Sequence, residues 1–72
     1  MKEKMKKYVE MRLDHAKRLC VTKEAVNSEM HLSLGAVQFV IYCSDKNEYK
    51  EISEWWSTKR KEFDKILESK VS

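Results

Sequence analysis

The chain has no proline and a single glycine among 72 residues, so little in it interrupts a helix. With Gly35 alone, no glycine-rich loop can cradle a phosphate. Cysteine is scarce as well. Cys20 and Cys43 form no CxxC pair, and His15 and His31 are too far apart in sequence for a helical HxxxH pair, so the usual spacing of zinc ligands is missing. The opening MKEKMKKYVE has no apolar stretch behind its basic residues and does not read as a signal peptide. Free thiols in a reducing cytoplasm are therefore expected. If the chain turns back just after Cys20, Cys43 lies at the far end of a helix of about 20 residues, roughly 30 Å away. That is well beyond the ~7 Å between Cα atoms that a disulfide tolerates. Long apolar runs are absent too: the most apolar block, LGAVQFVIYC at 34–43, is about half the ~20 residues that a bilayer span requires.

What the chain has is charge and helix formers. Lys and Arg number 15 against 12 Asp and Glu, for a formal net charge of +3. A chain of this length makes one small domain, residues 1–72, and buries only about 60% of the surface its unfolded form exposes. Domains this small are usually stapled by disulfides, a metal, very regular helix packing or a second subunit. The Met1 start, without a flanking linker, leads to the expectation of a complete small bacterial protein.

The one clear break is SDKN at 44–47, where Asp45 and Glu48 have the spacing of a capping box. Beyond it, Tyr49, Ile52, Trp55, Trp56, Phe63, Ile66 and Leu67 share one helical face, which predicts an amphipathic helix over about 45–70. Lys59 interrupts that face and can lay its methylenes along it. Residues 2–43 are harder to divide. Met5, Tyr8, Ala16, Leu19, Val26, Met30, Leu34, Val37, Val40 and Ile41 keep one helical phase, interrupted by Arg12, His15, Lys23 and Ser33, as though a single long or slightly kinked helix ran over 2–43. The fold expected is all-α: a hairpin of that helix with the last one, dimerising into a four-helix arrangement. The alternative is a three-helix bundle with a turn near 21–23, where Thr22 can act as an N-cap. Either way the block 34–43 is apolar on two sides, and a helix apolar all round must be covered on more than one side. One side continues the long stripe. The other, Leu32, Ala36, Phe39 and Tyr42, has no evident cover within a hairpin, and Gly35 is expected to permit close helix approach or a slight kink at the crowded centre.

Few residues invite a chemical role. Asp14 beside His15, and Glu29 near His31, could orient imidazoles for proton transfer, but their helical offset separates them, and surface histidines are the plainer reading. No nucleophile, base and orienting group can be assembled from the sequence, so catalysis is not expected, nor is a metal or cofactor. Trp55 and Trp56 lie at opposite margins of the last helix's stripe. Exposed tryptophan marks interaction hot spots, although the plainer reading places both in the core. The function expected is protein–protein interaction, first of all homo-oligomerisation, through Leu32, Ala36, Phe39, Tyr42, Trp55 and Trp56. The competing reading is a weakly basic nucleic-acid-binding factor that uses Lys4, Lys6, Lys7, Arg12, Lys17 and Arg18. Interspersed acidic residues dilute that cluster, and no helix-turn-helix pattern accompanies it. No membrane partner is expected.

Overall fold

The computed structural model describes residues 2–71 as three helices: α1 (Lys2–Arg18), α2 (Lys23–Tyr42) and α3 (Lys46–Glu68). The all-α architecture is as expected. Of the two expected arrangements it is the three-helix one that forms: residues 2–43 make two helices, not one. α2 packs against both α1 and α3, which also touch each other, in a body of 39 × 17 × 14 Å. Among the described residues no helix is long and apolar enough to cross a membrane.

The starts of α2 and α3 each have a local cause. Thr22, in an extended conformation, accepts a hydrogen bond from the Ala25 amide at 3.2 Å and caps α2. Asp45 does the same for α3, accepting from the Glu48 amide at 2.9 Å. The break between α1 and α2, at 19–22, is held from the other end of the chain. The Lys70 ammonium donates to the carbonyl of Lys17 at 3.0 Å, which satisfies one of the open acceptors at the end of α1. The Lys23 amide donates to the Val71 carbonyl at 2.8 Å, and the Val71 amide to Val21, forming a short parallel bridge beside Thr22.

The core lies along the axis of the bundle. Met5, Val9, Leu13 and Ala16 of α1 are buried against Val26, Val37 and Val40 of α2 and Ile52, Trp56 and Phe63 of α3. Their spacing by three and four residues is what a helix with one covered face requires. Trp56 and Phe63 stand one above the other, with ring centroids 6.3 Å apart and planes tilted by 51°. Two polar positions of α2 are core as well. Ser33 is fully buried, its hydroxyl donating to the Glu29 carbonyl one turn back at 3.0 Å. Glu29 is buried and ion-paired. Leu19, by contrast, leaves the stripe and is exposed, because it falls in the break. Gly35 also departs from expectation: it is exposed on α2, and a Cβ built there meets nothing within 4 Å among the described residues. It does not serve close helix approach within the chain.

Candidate functional site

The turn at 19–22 lays α1 along α2, yet it leaves the outer side of α2 uncovered. Leu32, Phe39 and Tyr42 are 48%, 57% and 89% exposed, and Gly35, between Leu32 and Phe39, is exposed with them. Ala36 is half-buried and packs on the core from the margin of this strip. From Met30 to Ser44 the sequence contains no Asp, Glu, Lys or Arg, so the strip has no ionic side chain of its own. His31 and Gln38 flank it as exposed, hydrogen-bonding side chains. In a chain of which 38% is charged, this is a local reversal of surface chemistry. Monomeric proteins seldom expose contiguous apolar patches without a use for them.

The two tryptophans do not join this strip. Trp56 is in the core, while Trp55 is half-buried beneath two ammonium groups: Lys6 of α1 lies 5.6 Å and Lys59 5.7 Å from its ring centroid. Lys59 lays its stem along α3 as expected, with only 17% of its side chain exposed. Its ammonium is not left to water alone, because it pairs with Glu10 of α1 and, at 3.1 Å, with Glu62. Hydrogen bonding to Glu10 raises the Lys59 pKa above its ordinary value; burial opposes this, and Glu62 adds to it.

The basic residues of the competing reading are dispersed. Arg18 pairs with Asp14 at 3.0 Å, Lys6 covers Trp55, and Arg12 is held by Tyr8 and Glu29. Lys4, Lys7 and Lys17 are exposed. Between α1 and α3 lies an open groove of about 560 Å³. Glu10, Asp14, Lys17, Glu62 and Lys65 line it with mixed signs, so it presents no single-sign path for a phosphate backbone.

A second arrangement was not legible in the sequence. Glu29, on the second turn of α2, accepts from Arg12 Nη1 at 3.1 Å and lies 2.9 Å from His15 Nδ1, both from α1. Arg12 also stacks over Tyr8, with Cζ 5.2 Å from the ring centroid, and its pKa is raised, first by Tyr8 and then by Glu29. Arg12 Nε is buried without a hydrogen-bond partner among the described residues. The Cys20 thiol, buried in the break between helices, comes within 4.8 Å of both His15 and Glu29. The imidazole that Glu29 approaches is that of His15 rather than the nearer-in-sequence His31. The only signal available beforehand was polar residues at stripe positions, which reads equally well as an interrupted stripe.

No protein-family model, curated protein or solved structure matches the chain. Its reading therefore rests on its own geometry.

Proposed function

We propose that the protein acts by binding protein, and first a second copy of itself, through the outer face of α2. The observation that carries this reading is the exposed, ion-free strip Leu32, Gly35, Phe39 and Tyr42. Its layout suits a twofold contact. Leu32 and Phe39 stand on either side of Gly35 and Ala36, so in an antiparallel pair each copy's Leu32 meets the other's Phe39 across a notch of small residues. Two chains of net charge +3 can meet there because neither brings a charged side chain to the contact. A standard interface takes about 800 Å² from each partner, roughly a sixth of the 5191 Å² this chain exposes, so the contact would extend from the strip onto its flanks. Trp55 and Trp56 have no part in this contact: one is core and the other is covered by lysines.

Sedimentation equilibrium at low and high protein concentration tests the reading. The expected result is a mass that rises toward two chains and holds or increases with salt, as apolar association does. A strict monomer at high concentration overturns it. Association that collapses steeply with salt points instead to ion pairs between the chains. Phe39→Glu should return the protein to a monomer while its helicity remains.

A further inference from the structure

We infer that His15, Cys20 and Glu29 form a binding site for a divalent transition metal of the zinc class, with three protein ligands. A nitrogen, a sulfur and a carboxylate oxygen lie within 4.8 Å of one another. They come from three successive segments: the last turn of α1, the break after it, and the second turn of α2. These are the ligand types zinc prefers, and three of them is the number found in sites that keep a fourth position open.

The geometry is close to what a metal needs. Bonds of about 2.0–2.3 Å in a tetrahedral site put ligand atoms roughly 3.3–3.7 Å apart. His15 Nδ1 and Glu29 Oε1 already stand 2.9 Å apart, so a metal needs only a small opening of the pair. Cys20 has to close by at most about 1.5 Å, and it sits outside the helices, where the backbone can move.

The surroundings are arranged for it too. Cys20 and Glu29 are buried, whereas the His15 side chain is 44% exposed, which leaves a path for the ion and for a solvent molecule on the open position. Arg12 approaches Glu29 chiefly at Oε2, 3.1 Å away against 3.5 Å for Oε1. It therefore holds the carboxylate from behind while Oε1 faces the imidazole, the part played by outer-shell hydrogen bonds at many metal sites. Thiolate and carboxylate together neutralise a divalent ion. An Arg–Glu–His network alone would need no thiol beside it. Bound metal would fasten α1 to α2 at their turn, a staple of the kind small domains use.

Cobalt titration of the full chain under a non-thiol reductant tests this directly. A thiolate-to-cobalt charge-transfer band should grow to saturation at one metal per chain, and Zn²⁺ should abolish it by displacement. Cys43→Ser should leave the band intact and Cys20→Ser should remove it. His15→Gln and Glu29→Gln should each weaken cobalt binding by roughly tenfold or more. Absence of a saturable band in the wild-type chain overturns the site. So does a band that survives Cys20→Ser and vanishes with Cys43→Ser. If Cys20→Ser loses its helical circular dichroism, His15→Gln, at a half-exposed position, decides the matter: unchanged cobalt affinity refutes the proposal.

Discussion

Arg12 of α1 and Glu29 of α2 form a salt bridge of 3.1 Å whose carboxylate end is nearly sealed from solvent. A buried ion pair contributes little net stability, but removing one partner strands the other. Arg12→Met should therefore lower the midpoint of chemical denaturation. Glu29→Gln should lower it less, because an amide tolerates burial better than a carboxylate. Adding Glu29→Gln to Arg12→Met should recover part of the loss. A double variant whose losses simply add would show that the pair is not coupled.

Phe63 and Phe39 are the chain's two phenylalanines and lie in opposite environments. Phe63→Ala removes a fully buried ring beside Trp56 and should cost about 3–5 kcal/mol in urea unfolding of dilute protein. Phe39→Ala should cost under about 1 kcal/mol there, since its ring is largely exposed within the chain, yet it should weaken self-association measured by sedimentation. Equal losses of stability at the two sites would contradict the assignment of core and outer face.

Gly35→Ala is expected to stabilise the isolated chain by about 0.5–1 kcal/mol. The residue is helical, an added Cβ has free space, and alanine loses less backbone entropy than glycine in a helix. Thermal unfolding at low concentration measures this. A decrease in stability would mean that something occupies the space beside Gly35.

Lys59 gives a sign for alkaline behaviour. Glu10 and Glu62 raise its pKa in the folded chain above the ordinary value of 10.5. The folded state thus holds this proton more tightly than the unfolded one. The resulting stability is fully present below 10.5 and is lost as pH rises through the elevated folded value. Lys59→Met should remove that part of the alkaline loss, leaving a flatter profile of unfolding midpoint against pH above about 10. An unchanged profile would show that the ion pairs add nothing in solution, as is common for exposed pairs.

The sequence made some features plain and hid others for identifiable reasons. The last helix, expected over 45–70 and found at Lys46–Glu68, was legible because its cap, stripe and charged face are all local. Thr22 was legible as a cap, and a turn near 21–23 stood as the alternative, but nothing local favoured it over a continuous helix. Leu19, Cys20 and Val21 include no glycine, proline or Asx residue, and the groups that hold the break, Lys70 and Val71, lie about fifty positions away. Phase carried across the break because α1 and α2 each turn a face spaced by three and four residues inward, and four connecting residues happened to keep the register. Arg12 and Ser33 read as flaws in a stripe, and Glu29 drew notice only for its nearness to His31. Their tertiary partners convert Glu29 and Ser33 into core and bring His15 and Cys20 to Glu29. The outer face of Leu32, Phe39 and Tyr42 was visible as a second apolar side without evident cover, and its side chains are exposed.

The bridge between Val71 and the α1–α2 turn has a kinetic side. Helical bundles fold quickly because most of their contacts are close in sequence. This bridge is different: it joins residues about fifty apart and needs the end of α3 in place beside the α1–α2 turn. It is therefore expected to close last and to open first. Its two amides, exchanging with solvent well ahead of those in the helix centres, would report the docking of α3 separately from the unfolding of the bundle.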